Sequence, residues 1–305
     1  MKNKVLICIV VVLSIITIAV VSKKKETNHS FFDNKEETIK VKTKEEKIEE
    51  LKIEDYLVGV LAAEMPASFE VEALKAQAVA SRSYAMYKIL HNESEDYDIL
   101  TDVTNQSYIT KEEMQEKWGN NYSFYLNKIT NAVNDTKDEV LYYNNEIIEA
   151  FYFAMSNGAT EDAKSVFQED LPYIKATTSS WDNETLNNFK VTTTFTKDKF
   201  CETLKLTECK TINIDNINYS ASHRINSLEI NNKQFKGTEI RSLLNLRSTD
   251  FEIDIGEGEV NITTKGYGHG VGMSQYGANG MAKEGANYKE ILMHYYNDVT
   301  MNKMV

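Results

Sequence analysis

Glu64 is the side chain in this sequence whose setting suits acid–base chemistry, because the chain forces a helix to stop there. Ile53, Tyr56, Leu57, Val60 and Leu61 recur at helical spacing, and Pro66 disfavours helical geometry at Met65, so a first helix ends near Glu64. Leu61, Ala62, Ala63 and Met65 are apolar neighbours that could desolvate its carboxyl, raise its pKa and fit it to donate a proton. The plainer role for a glutamate at a helix end is a solvated group or a cap, and spacing alone does not choose between them. A second helix follows, with Ser68 as its N-cap and Glu70 and Glu72 in a first turn that favours acids, and runs to about Leu90. Alanines at 73, 76, 78, 80 and 85 make it thin-sided, while Gln77, Arg82 and Tyr84 set polar groups inside a buriable pattern.

A second stretch could line a site. Gly266-Tyr-Gly-His-Gly-Val-Gly-Met-Ser-Gln-Tyr-Gly277 holds five glycines in twelve residues, and glycine permits positive φ and close approach to a ligand. Neither the dinucleotide fingerprint nor a phosphate loop can be laid on this spacing. Tyr267, His269, Ser274, Gln275 and Tyr276 suit a carbohydrate-binding wall, since aromatic faces, amides and hydroxyls match sugar rings; the bare alternative is a glycine-rich strand and turn inside a core. Asp102, Glu149, Glu161 and Asp162 are further acids, and Glu161 is the second carboxylate to test if the chemistry were hydrolytic.

The elements that must position these groups form a mixed pattern. The chain has 305 residues with 42% hydrophobic content, ample for a packed core, and its formal charge of −12 argues against a nucleic-acid partner. Val5 to Val21 is an apolar run between lysines that reads as a signal sequence or a single membrane span; with no small-residue cleavage site before Lys23, an uncleaved membrane anchor over 1–22 is the expectation. A polar tether is expected over 23–50, then a catalytic domain over 51–305 with a β-rich subdomain at about 185–250. Lys44 to Lys52 could begin the first helix. Helices are expected at 111–118, 122–136, 196–206 and 288–296, and strands at 139–143, 147–155, 211–219, 224–230, 251–255 and 260–264. Helices and strands without regular alternation give an α+β class: a single transmembrane helix, a tether, and a mixed helical and antiparallel-β domain. Cys201 and Cys209 could form a disulfide or stay as two buried thiols; no metal-ligand spacing appears, and no cofactor is expected.

Ala62-Ala-Glu-Met-Pro66 followed by Glu72-Ala-Leu-Lys-Ala-Gln-Ala-Val-Ala-Ser-Arg-Ser-Tyr84 resembles the signature of the stage II sporulation protein D family of endospore-forming bacteria, which includes amidase-enhancer relatives. The glycine-rich run, Ile291-Leu-Met-His-Tyr-Tyr296, Phe153-Ala-Met-Ser-Asn-Gly158, Leu171-Pro-Tyr173 and Ile240 to Phe251 resemble it too, so the likeness covers about 52–301. It implies a peptidoglycan lytic transglycosylase with Glu64 as the single catalytic carboxyl. Lys75, Gln77, Arg82, Tyr84, Ser156, Tyr173, His269, Ser274, Gln275 and Tyr276 are then the substrate-binding candidates. The implied substrate is glycan stripped of peptides by a partner amidase, exposing the lactyl carboxylate of each muramic acid. Lys75 and Arg82 share a helix face and could meet that charge; alternatively Lys75 pairs with Glu72 and Arg82 ties two elements together. The implied setting is the cell membrane, domain outward, in the septal space between mother cell and forespore, with engulfment proteins as partners. The alternative is a non-catalytic wall-binding enhancer of the amidase. Some members of the family bind zinc through one His and two Cys in the loop after the Glu helix; Tyr97 to Tyr108 has neither residue type, so no metal is carried over.

Overall fold

In the computed structural model, residues 37–92, 96–102, 104–167 and 169–304 are described. A hairpin opens them, β1 (Thr38–Lys42) paired antiparallel with β2 (Ile48–Lys52), so the expected tether is folded from Thr38 on and Ile48 to Lys52 is strand, not helix. The first helix, α1 (Ile53–Glu64), ends at the residue before Met65, whose φ of −124° and ψ of 140° are the extended geometry that a following proline imposes. The second, α2 (Val71–Leu90), starts later than expected: Ser68 is exposed, and Glu70 is the N-cap, its amide donating to Asn279 Oδ1 at 2.8 Å. Its alanine-rich flanks let α1, α4 (Tyr122–Asp135) and α9 (Tyr288–Tyr295) pack against it, and its centre is buried all round. A helix this thin brings neighbouring backbones close, the packing its composition favours.

Between α2 and α9 lie β3 (Ile99–Leu100), α3 (Lys111–Trp118), β4 (Glu139–Tyr143), β5 (Glu146–Ile147), β6 (Tyr152–Phe153) and α5 (Ala163–Phe167). The strand expected over 147–155 breaks up: after Ile148, whose amide still donates to Leu141 O, the chain leaves the hairpin, and it pairs again in two short pieces, Tyr152–Phe153 parallel with β13 (Met273–Ser274) and Met155 in a single antiparallel bridge with Tyr267. β3 also pairs parallel with β1, so the sheets are not wholly antiparallel as expected.

The β-rich part runs further than expected, to Lys265. It contains β7 (Lys190–Thr196), α6 (Lys197–Leu204), the three-stranded antiparallel set β8 (Ile214–Tyr219), β9 (Ile225–Ile230) and β10 (Lys233–Lys236), then α7 (Gly237–Leu243), β11 (Phe251–Ile255) and β12 (Glu259–Lys265). One cluster that includes Phe200, Leu228, Ile230, Ile240, Val260 and Ile262 forms its core. Cys201 and Cys209 are bonded as a disulfide. The chain returns through β13, α8 (Gln275–Lys283), α9 and β14 (Thr300–Lys303), which pairs with β4.

One expectation is corrected. Among the described residues no helix is long and apolar enough to cross a membrane, and the run from 5 to 21 on which the expected span rests lies outside them.

The return of the chain depends on Gly272. Its φ is +78°, and a Cβ there would sit 1.9 Å from Phe151 O, so any side chain would push β13 off β6. Gly272→Ala is expected to destabilise the fold by more than about 2 kcal/mol, read as a lowered urea midpoint; an unchanged midpoint would show that the two strands can separate freely.

Candidate active site

Glu64 projects from the last residue of α1 into a cleft of about 420 Å³. Other segments build the walls, among them Lys117 at the end of α3, Arg247 after α7, Asn187 and Asn188 before β7, and Tyr267, Gln275 and Tyr276 from the glycine-rich run. Among the described residues lining this cleft, Glu64 is the one carboxylate.

The loop before α3 sets the carboxyl. Gly59 has no side chain, so the Tyr108 ring packs directly on α1, and a Cβ at Gly59 would lie 2.2 Å from that ring. Tyr108 stacks on Tyr56 at 5.6 Å, and this seats the neighbouring Ser107 amide, which donates to Glu64 Oε1 at 2.7 Å. Burial pushes the Glu64 carboxyl above its ordinary value of 4.5, opposed by hydrogen bonds from Ser107 and Gln275 and by the charge of Lys117. The carboxyl is thus favoured as the acid, while its anion keeps waiting donors.

Beneath the cleft the donors are themselves held. Gln275 Nε2 donates to Gln77 Oε1 at 3.4 Å, and Gln77 Nε2 to Ser81 Oγ at 3.0 Å. Gln106 accepts from Tyr56 OH at 3.1 Å and donates to Tyr152 OH at 2.9 Å and to Ser81 O at 3.2 Å. Asp182, buried and not anticipated, accepts from Ser274 Oγ at 2.7 Å, Ser179 Oγ at 2.8 Å and the Ser156 amide at 3.1 Å. Burial raises its pKa, and the three serines oppose the rise. Ser274 also caps α8 by accepting from Gly277 N, so this cluster fixes the start of the helix that bears Gln275 and Tyr276.

Of the residues singled out in the sequence, Glu64, Gln275 and Tyr276 meet in the cleft, with Tyr267 beside them. Gln77 stands behind Gln275 as a positioning residue. The others lie outside the lining of this cleft and have partners within the protein. Lys75 is paired with Glu72 at 3.2 Å and Asp135 at 3.0 Å. Arg82 is fully buried and binds Glu54 through two bonds, Nε to Oε1 at 2.9 Å and NH2 to Oε2 at 2.6 Å, while also donating to the carbonyls of Glu139 and Val133. It ties α2 to α1, α4 and β4. Tyr84 is buried, with Phe151 edge-on and Asn105 Nδ2 donating to its hydroxyl. Tyr173 is buried, its OH accepting from Glu149 N and its ring against Tyr143. Ser156 and Ser274 are buried on Asp182.

His269 packs among Phe151, Phe153 and Phe167; its Nδ1 accepts from Val271 N at 3.1 Å, so Nε2 carries the proton toward Tyr152 O. Burial and the nearby Arg241 and Arg224 charges push it down to about 4. Glu161, the alternative second carboxylate, is buried and accepts from the hydroxyls of Ser220 and Ser222, away from the cleft lining. Asp102 accepts from Thr104 N, Glu149 pairs with Lys88, and Asp162 accepts from Ala176 N.

The sequence reading missed Lys117 and Arg247. Neither is marked by its neighbours in the sequence, since Glu113 stands four residues before Lys117 and Asp250 three residues after Arg247, the spacing of an ordinary ion pair. The 97–108 loop does not fit a zinc site: it has no His or Cys, and Asp98 and Asn105 accept from the backbone amides of Lys40 and Leu100. Among the described residues no group of three or more His, Cys, Asp or Glu could hold a metal ion.

Comparison with known proteins agrees with the sequence motifs. Residues 41–143 match the family model described as stage II sporulation protein. Stage II sporulation protein D of Bacillus subtilis (strain 168) is 39% identical over 267 residues, 86% of this chain and 78% of that protein. The protein of the same name from Bacillus amyloliquefaciens is also 39% identical, over 86% of this chain and 77% of its own length. The amidase enhancer of Bacillus subtilis (strain 168) is 28% identical over 80% of this chain and 40% of its own length.

The neutral His269 gives a test of this packing. An unfolded histidine titrates near 6.5 and the folded one near 4, so the unfolded state binds more protons between those values. Stability is expected to be complete above pH 6.5 and to fall as the pH drops toward 4, by roughly 3 kcal/mol in all. Urea unfolding of wild type and His269→Gln at several pH values checks it: the difference between the two should shrink as the medium becomes acid, and parallel curves would refute a buried neutral ring.

Proposed function

The chain belongs to the stage II sporulation protein D family, and from that premise we propose that it is a lytic transglycosylase that cuts peptide-free peptidoglycan strands through Glu64. The observation that carries this reading is the half-buried carboxyl of Glu64, raised by burial, the one carboxylate among the described residues lining its cleft, with an amide already on one oxygen. Breaking a β-1,4 bond needs a proton on the leaving oxygen and a partner for the oxocarbenium-like carbon. The protonated Glu64 gives its proton to the glycosidic oxygen as the C1–O bond breaks. The C6 hydroxyl of the same muramic acid closes on C1, and the Glu64 carboxylate takes that hydroxyl's proton. No water is consumed, the product ends in a 1,6-anhydro ring, and one carboxyl serves as acid and then base. Ser107 N–H and Gln275 stabilise the carboxylate between the two transfers.

The Cys201–Cys209 disulfide supports a domain that works outside the cytoplasm, where thiols oxidise and peptidoglycan lies. The likeness to the amidase enhancer of Bacillus subtilis supports a second reading in which the chain binds wall glycan and aids an amidase without cutting. In the first reading the amidase supplies peptide-free strands, in sporulation septal thinning and engulfment.

Mass spectrometry of peptide-free strands after incubation with the purified protein separates the two. Wild type is expected to generate anhydro-muramic ends and Glu64→Gln to lose them by about a hundredfold or more. Bound but uncut strands with both proteins would mean the enhancer reading. Because the acid must be protonated, kcat/KM is expected to fall as pH rises through a value above 4.5; a fall centred at or below 4.5 would exclude Glu64 as the acid.

A further inference from the structure

We propose that Arg247, with Arg241 behind it, forms the subsite that reads a carboxylate on the bound strand, and so selects glycan whose lactyl groups carry no peptide. This rests on the glycan-cutting reading above and assigns residues to its substrate preference. The chain has four arginines. Arg82 is taken up by Glu54, and Arg224 donates to Ser222 Oγ at 2.8 Å and Ala159 O at 3.0 Å beside Glu161 and Asp250. The Nε of Arg224, Arg241 and Arg247 is in each case buried without a hydrogen-bond partner, but Arg224 is held through its NH1, whereas among the described residues Arg241 and Arg247 make no ion pair. In an acidic chain with 46 carboxylate side chains, two guanidinium groups lacking a carboxylate at one corner call for an anion from outside.

The corner is built and faces the cleft. Arg247 lies over the ring of Tyr267 with 4.1 Å from Cζ to the ring centre, and both residues line the cleft with Glu64. Arg241 is close enough to Tyr267 and His269 for its charge to act on both. The turn joining the two arginines closes on itself, Leu246 N donating to Arg241 O at 2.8 Å, and is fastened to the glycine-rich run by Gly268 N donating to Arg247 O at 2.9 Å. A guanidinium supported on a ring and weakly hydrated suits bidentate binding of a planar carboxylate. On a strand of N-acetylated sugars, the lactyl ether of muramic acid supplies that carboxylate. A stem peptide turns it into an amide and removes the charge. Lys75 and Arg82, which the sequence offered for this task, are already paired elsewhere.

The test uses the full chain carrying Glu64→Gln, so that nothing is turned over, and measures binding by calorimetry. The probes are soluble peptide-free glycan strands with free lactyl carboxylates and the same strands converted to methyl amides. The carboxylate form is expected to bind about tenfold to a hundredfold tighter. Adding Arg247→Gln should weaken that form alone and abolish the preference, Arg241→Gln should reduce it, and Arg247→Lys should restore part of it. Equal binding of both strands to the Glu64→Gln protein would overturn the subsite and leave the glycan reading standing. An unchanged preference in both glutamine variants, or equal weakening of both strands, would overturn it as well. No binding of either strand by a protein that still melts cooperatively would overturn the subsite and the glycan reading together.

Discussion

The backbone of the glycine-rich run lies directly on that of Phe151 to Met155, and the architecture of the cleft hangs on this contact. Met155 and Tyr267 exchange hydrogen bonds of 2.9 and 2.7 Å, and Met273–Ser274 pair with Tyr152–Phe153. Two backbones can approach so closely only where no side chain intervenes, which is why glycine stands at 266 and 272, each with its Cβ position within 2.7 Å of a carbonyl oxygen on the other segment. Residues more than a hundred positions apart are thereby brought level with the end of α1. Tyr267, Gln275 and Tyr276 then reach the cleft while His269 and Ser274, interleaved with them, turn inward.

Electrostatics follows from this packing. Several cations that could have met a ligand are occupied: Arg82 by Glu54, Lys75 by Glu72 and Asp135, Lys88 by Glu149. Lys117 Nζ donates to Ala62 O at 2.8 Å and bears on Glu64 as a nearby charge. What burial does to each group differs by its donors. Glu64 and Asp182 are both carboxyls raised by burial and both oppose it with hydrogen bonds, yet Asp182 is enclosed by three serines and Glu64 borders open space. The same physical balance holds one in place and leaves the other available to exchange a proton.

Much of the local structure was legible because it is set by neighbours in the chain. The stop of α1 before Met65 follows from Pro66 alone, the helices at 111–118 and 122–135 from their apolar spacing, and the strand at 251–255 from alternation. Short-range rules failed where a distant partner decided the outcome. Ile48 to Lys52 reads as helix or tether until Thr38–Lys42 pairs with it, and the apolar run after Ile147 reads as one strand until β13 claims only its last part.

The sequence by itself determined that a glutamate sits at a forced helix end among apolar neighbours, that a thin-sided helix follows, and that a glycine-rich run must approach another backbone. Those facts depend on residue type and on steric limits within a few residues. Only the tertiary structure decided which polar side chains face the cleft. Gln77, Arg82, Tyr84, Ser156, Tyr173 and Ser274 look like ligand contacts as letters, but each is buried with partners inside the protein, because a buried polar group must find its hydrogen bonds there. Which polar groups find partners is a property of the packed chain, and it left Glu64, Lys117 and Arg247 lining one cleft.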